Sequence, residues 1–416
     1  MSKTIRQISL MARDSDLCRF WADSYGLIAD YSKTLYAGDV VDANGHNYLF
    51  NKLKKDISKE DITHLIIDMS AVQFDPFLLF DLKQKNKLTI VALAIDDEMK
   101  FSWISSTLVT IADLVITSDF TSVARYRQSG INAHFLPLPV YIPEELPLKD
   151  KKLHSSISFI GRRAKDKPIR EMYLNILEQD TKTTIFGNQG SQTENFLLTD
   201  EMYSIFRNSD INLNFTGITV NIKSDNALYG RIRGMKLRPF EIYAAGGMCI
   251  SEFSISLAEC FEDGKEIIFF NNPEEMLEKI NYYLENEEEA NQIAEAGRTK
   301  VLKNFSDKAT AQNLKELLKS SSDYLEKDLY GVPHELLVSP RYASTFVELT
   351  IGKVIDFIFK RKFQIVIRDL GYLARFLKKV SGQLGVIKAI DIFNLGVFRA
   401  FKTSISQLRF RLFSRA

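Results

Sequence analysis

The chain has 416 residues, 45% hydrophobic, 26% charged and 11% aromatic, which excludes a disordered polypeptide and exceeds what one ordinary domain needs. Fifty-four Lys and Arg against 53 Asp and Glu leave a net charge of +1, so the overall charge calls for no polyanionic partner. That balance hides an asymmetry: residues 351–416 carry 14 basic and 3 acidic side chains, a net +11, while residues 1–350 carry 40 and 50, a net −10.

Cys18, Cys249 and Cys260 form neither a CxxC pair nor an even framework, so a reducing compartment without structural zinc is expected. His46, His64, His134, His154 and His334 show no metal-ligand spacing. The start, MSKTIRQISLMARDSD, has no apolar signal core, and no run approaches the roughly 18 uncharged apolar residues of a membrane span. A cytosolic protein is expected.

Along the chain, short apolar runs at 65–67, 89–93 and 114–116 read as strands, with helices over 48–55, 77–85 and 122–129. Fully apolar strands separated by amphipathic helices predict a parallel sheet covered on both faces. Pro137, Pro139, Pro143 and Pro147, followed by a charged stretch to Lys152, predict a linker. A second alternating unit has candidate strands at 158–160, 183–186, 211–215, 248–251 and 266–270. Its helices are expected at 169–178, 201–208, 237–245, 255–261, 274–284 and 287–319. The expected fold is α/β and two-lobed, with a basic α-helical extension. The boundaries are 1–138, a linker at 139–156, a second lobe at 157–325 and the extension at 326–416. Ligands of such folds bind outside the carboxyl ends of the strands.

Candidate binding residues gather at strand ends. Gly161, Arg162, Arg163 and Lys167 surround the start of a helix opened by Pro168, which suits a diphosphate, although such cations are often merely solvated. Gly187 and Asn188 end the next strand; the glycine admits a planar ligand or serves an ordinary turn. In the segment 231–247, Arg231, Arg233, Lys236 and Arg238 crowd ahead of a helix whose dipole disfavours cations there, which points to a bound anion. Glu241 either accepts hydrogen bonds from a ribose or pairs with Arg238 three residues earlier. Gly246 and Gly247 then turn into the next strand. In the first lobe, Asp96 and Asp97 follow a strand and are candidates for deprotonating an acceptor hydroxyl, or else cap the next helix.

The stretch 236–283, with Arg-Pro-Phe-Glu, Ala-Ala-Gly-Gly, Phe-Glu-Asp-Gly-Lys-Glu and Pro-Glu-Glu-Met, resembles the donor-binding half of group-1 glycosyltransferases, nearest the spore-maturation-type branch. First-lobe segments around Asp96-Asp97, 112–119 and 126–137 are similar as well, so the likeness spans about residues 60–310. The resemblance implies a GT-B architecture, two Rossmann-like lobes facing a cleft, with a nucleotide-sugar donor held by the second lobe; the residue types fit that chemistry with no cofactor and no metal. By position, Gly161, Arg162 and Lys167 match the family's diphosphate contacts, and Glu241 matches its ribose-binding glutamate. Arg233 departs from the pattern, standing where many retaining members have a glutamate near the sugar. It suggests a guanidinium facing the diphosphate, alongside Lys236 or Arg238, and leaves the stereochemical outcome open.

Two helical stripes mark the extension: Tyr372, Leu373, Phe376, Leu377 and Val380, then Val386, Ile390, Phe393, Val397 and Phe401, each opposed by Lys or Arg. They suit an anionic membrane surface, or a hairpin packed on the body or in a dimer; RNA binding fits less well. The expected function is transfer of a sugar from a nucleotide donor to a lipid-linked or surface-polysaccharide hydroxyl at the inner membrane face. A nucleotide-sugar epimerase of the same fold, or a non-catalytic membrane-associated binding protein, is the alternative.

Overall fold

The computed structural model describes residues 4–68, 74–161, 167–180, 183–186, 199–217, 232–325, 336 and 338–413. The chain divides into two compact units: Met1–Thr117, Val123–Phe135 and Leu314–Ala416 form the first, Ser118–Ser122 and Leu136–Asn313 the second.

In the first unit, β1 (Arg6–Met11), β2 (Tyr31–Tyr36), β3 (His64–Asp68), β4 (Thr89–Ala94), β5 (Leu114–Thr117) and β6 (Ala133–Phe135) make a parallel sheet ordered β2-β1-β3-β4-β5-β6. The expected apolar runs are β3, β4 and β5, buried almost throughout. No apolar run marks β1, because Gln7 and Ser9 are buried polar residues, joined by a 3.0 Å hydrogen bond from Gln7 Nε2 to Ser9 Oγ. Helix starts follow a repeated local rule: a capping residue, then proline. Asp75 Oδ1 accepts from the Phe77 and Leu78 amides, Asn272 from the Glu275 amide and Ser339 from the Tyr342 amide, ahead of Pro76–Asn86, Pro273–Glu285 and Pro340–Phe359.

The helical extension groups with the first unit, as the packed alternative expects. Helices Pro340–Phe359, Phe363–Leu384 and Val386–Phe413 belong to the first unit, and Tyr342, Phe346, Val347, Tyr372, Leu373, Phe376 and Val380 complete its core. The first stripe expected to meet a membrane is therefore an internal packing face. Tyr342 donates to the Phe74 carbonyl at 2.6 Å, and Lys379 pairs with Asp81 at 2.9 Å. On the last helix the buried side is Ala389, Ile392 and Ala400, so Val386, Ile390, Phe393 and Phe401 of the second stripe remain exposed. No helix among the described residues is long and apolar enough to cross a membrane.

In the second unit, β7 (Ser155–Ile160), β8 (Thr183–Phe186), β9 (Ser209–Asn214), β10 (Cys249–Glu252) and β11 (Ile268–Phe270) form a parallel sheet ordered β11-β10-β9-β7-β8. The order reverses between β7 and β9, the place where open α/β sheets leave a crevice at their carboxyl ends. The proline-rich stretch expected as a linker packs on this unit: Val140 bridges to Ser306, Tyr203 donates to the Tyr141 carbonyl at 2.7 Å, and Asn208 Nδ2 to the Leu148 carbonyl at 3.1 Å. The 287–319 stretch is two helices, Glu287–Asn304 and Asp307–Leu325, broken at Phe305.

Candidate functional site

At the carboxyl edge of the second sheet, β7 runs into Gly161, where a Cβ would come within 2.6 Å of the Phe159 ring. Lys167 then precedes the helix Pro168–Asp180. From that helix, Arg170, a residue not singled out from the sequence, lies over the Phe159 ring (5.4 Å) and donates from Nη2 to the Phe215 carbonyl just beyond β9, at 3.3 Å. Arg162, Gly187 and Asn188 lie outside the described residues, as does Arg231.

After β9 the chain continues through Thr216 and Gly217, and residues 232–234 return beside them. Gly217 pairs with Arg233 in an antiparallel bridge, and the Gly234 amide donates to the Thr216 carbonyl at 2.9 Å. At the end of β10 stands Glu252, whose side chain is 3% exposed. Its Oε2 accepts from the Thr216 amide (2.9 Å), the Thr216 hydroxyl (3.1 Å) and the Gly217 amide (3.0 Å). Its Oε1 lies 3.2 Å from Arg233 Nε. Arg233 also donates from Nη1 to the Asn271 side-chain oxygen (3.1 Å) and from Nη2 to the Asn271 carbonyl (2.9 Å), just past β11. A carboxylate is tolerable at this depth because three neutral donors and the Arg233 cation surround it. Glu252, Thr216 and Asn271 were invisible as site residues in the sequence because three separate strand ends bring them together.

Lys236 follows, half-buried, ahead of the helix Arg238–Ala244. Arg238 Nη1 lies 2.7 Å from Glu241 Oε2, and its guanidinium sits over the Phe206 ring at 5.4 Å. The i,i+3 pairing is thus the one adopted. Burial pushes the Glu241 carboxyl up and the adjacent Arg238 opposes the rise. Its Oε1 has no hydrogen-bond partner among the described residues and is not sealed from solvent. Gly246, expected as a ligand contact, stands away from the strand carboxyl ends. It lies at the amino edge, turning into β10 with φ +77°, and its carbonyl accepts from Arg207 Nη1 at 2.9 Å. A cavity of about 700 Å³ at that edge, lined by Lys149, Arg207, Gly246 and Met248 among others, is therefore remote from the strand carboxyl ends.

In the first unit, β4 is followed by Asp96, which adopts φ +56°, a left-handed conformation that a non-glycine residue holds only at a cost in strain. Its side chain, 39% exposed, pairs with Lys100 at 3.2 Å and caps no helix. Asp97 differs: it is fully buried and accepts from Ser105 Oγ (2.5 Å), Thr117 Oγ1 (3.0 Å) and Tyr126 OH (2.6 Å). Both oxygens are engaged, so Asp97 fastens the loop to β5 rather than facing an acceptor. Of the expected pair, Asp96 alone is open to solvent.

Residues 164–316 match the family described as Glycosyl transferase-like. Among solved structures, sucrose-phosphate synthase from Thermosynechococcus elongatus aligns with a TM-score of 0.57 at 12% identity over 77% of this chain and 100% of that one. Alr3699/HepE from Anabaena, solved in complex with UDP-glucose, aligns with a TM-score of 0.53 at 12% identity over 76% and 99%. No curated protein sequence matches the chain. The fold is of the GT-B type, and residues 164–316 are similar to the Glycosyl transferase-like family, which supports a transferase enzyme.

Proposed function

We propose that this chain transfers a sugar from a nucleoside-diphosphate donor, bound at the carboxyl edge of the second sheet, to a hydroxyl of a lipid-linked or surface-polysaccharide acceptor at the cytosolic face of a membrane. The observation that carries the reading is the cationic set Lys167, Arg170, Arg233 and Lys236 at that edge, inside the glycosyl transferase-like stretch. HepE, of the same fold, was solved with UDP-glucose, which supports a donor of this chemical class.

In the proposed reaction the bond between the sugar's anomeric carbon and the diphosphate breaks, and its electron pair leaves with the nucleoside diphosphate. Lys167 and Arg233, with Arg162 of the same motif, stabilise the charge that develops there, without recourse to a metal. The free Oε1 of Glu241 accepts from the ribose hydroxyls. The acceptor oxygen bonds to the anomeric carbon as its proton passes to a general base. For the membrane component, the support is the exposed apolar face of the last helix together with the basic charge of residues 351–416.

A thermal-shift series with UDP, GDP, ADP and their sugar conjugates tests the donor. A ligand at 100 times its dissociation constant adds about 2.7 kcal/mol if it binds only the folded chain, a rise of several degrees. Stabilisation by one nucleotide, then transfer to a lipid-linked glycan, is the expected result. No shift with any nucleotide defeats the proposal, and release of an epimerised sugar without an acceptor replaces it.

A further inference from the structure

The guanidinium of Arg233 is held from two sides. Glu252 Oε1 approaches Nε at 3.2 Å, and Asn271 takes one hydrogen from each terminal nitrogen, through its side-chain oxygen at 3.1 Å and its carbonyl at 2.9 Å. Each terminal nitrogen carries a second N–H. Among the described residues those two hydrogens have no partner, and the Arg233 side chain is 29% exposed. A free arginine would lose considerable rotamer entropy on gripping a ligand. Here the neighbours have already imposed that order, leaving a fixed fork with two unfilled donors over the carboxyl ends of β9, β10 and β11.

We infer that Glu252 and Asn271 are positioning residues that pre-set Arg233 to grip the diphosphate of the donor. The inference rests on the proposed nucleotide-sugar reading and adds the residues through which Arg233 acts. Glu252 itself cannot touch the ligand: it is 3% exposed and Oε2 is filled by Thr216 and Gly217. Its negative charge neutralises the guanidinium's charge in part, so its contribution to anion binding is orientation, not attraction. The same carboxylate fixes the 216–217 turn, against which Arg233 forms its backbone bridge. One buried acid thereby sets both the backbone and the side-chain geometry of the arginine.

The test is isothermal titration of the full chain with UDP, GDP and ADP, using Glu252→Gln, Arg233→Gln and the double variant. The Gln carbonyl still accepts from the Thr216 and Gly217 amides while the charge pair with Arg233 is lost. The expected result is about a tenfold weaker dissociation constant for the bound nucleotide in Glu252→Gln. In the Arg233→Gln background the same change has no further effect, since a residue acting through Arg233 loses its influence with it. Equal, additive losses in both backgrounds, or unchanged affinity in Glu252→Gln, overturn the inference while leaving the donor reading intact. A wild-type chain that binds none of the three nucleotides defeats the donor reading instead. Should Glu252→Gln fail to fold, Asn271→Leu removes a guanidinium contact without disturbing the buried carboxylate. It is then expected to weaken binding, again only when Arg233 is present, and unchanged binding overturns the inference.

Discussion

Asp75 shows what burial does to a single capping residue. It is 3% exposed, its carboxylate accepts two backbone amides, and desolvation nevertheless raises its pKa to about 6. Because the folded value lies above the unfolded one near 3.8, the protonated group favours the folded state. That contribution is complete below about pH 4 and is lost as pH rises through about 6, an effect on the order of 3 kcal/mol. Asp75→Asn keeps a side-chain acceptor for the amides without the titration. Its stability should exceed the wild type's at pH 7.5 and lose the decline between pH 4 and 6, measured by denaturant melts across that range. A wild type with flat stability between those pH values rules the account out. At this scale the sequence was half legible. Arg233 stood out by its charge ahead of a helix, whereas Glu252, Asn271 and Arg170 looked like ordinary residues. Asp97 looked like a base beside Asp96, and only burial separates the inward carboxylate from the outward one.

Elements were more legible than contacts. Strands β3, β4 and β5 and most second-unit elements follow from apolar runs, since a parallel strand buried on both faces has no polar register to obscure it. β1 and β2 escaped because buried Gln7 and Ser9, and Lys33 at the sheet edge, interrupt that signal. The clearest non-local element contact is a helix start capped from far along the chain. Asp369, within Phe363–Leu384, accepts from the His46 amide at 3.0 Å and the Asn47 amide at 3.1 Å, opening His46–Lys59. Gly45 has φ +83°, and a Cβ there would lie 2.5 Å from the Asp369 carboxylate, so both conformation and space demand glycine. Asp369→Ala leaves one buried and one half-buried amide without their acceptor and should cost about 1–3 kcal/mol, with Asp369→Asn recovering part. Urea titration followed by circular dichroism reads both; a wild-type midpoint for Asp369→Ala would mean that the cap contributes nothing.

For the whole molecule, the question is what the exposed part of the basic extension meets. Removing the extension cannot answer it, because Tyr342, Phe346, Tyr372 and Phe376 are 0–1% exposed in the first unit's core. At about 1.5–3 kcal/mol for each such side chain, their loss approaches the entire stability of a domain. Point changes on the outer face avoid that problem. Val386, Ile387, Ile390, Phe398 and Phe401 are 52–79% exposed, and the cations Lys388, Arg399 and Lys402 share their helix. On a helix, 386, 390 and 401 fall near one line with 387 and 398 to one side, while the three cations fall beyond them. Apolar insertion with cations alongside fits the headgroup region of an anionic bilayer, where each Lys or Arg adds about 1 kcal/mol. The double variant Ile387→Glu, Phe398→Glu should therefore lose most sedimentation with phosphatidylserine-containing vesicles, keep the wild-type melting temperature, and leave nucleotide binding unchanged. Wild-type sedimentation should also weaken with added salt, as screening shortens the reach of the cations. If the wild type ignores vesicles and instead forms a dimer that the double variant abolishes, a second copy of the chain covers this face and the membrane proposal is withdrawn.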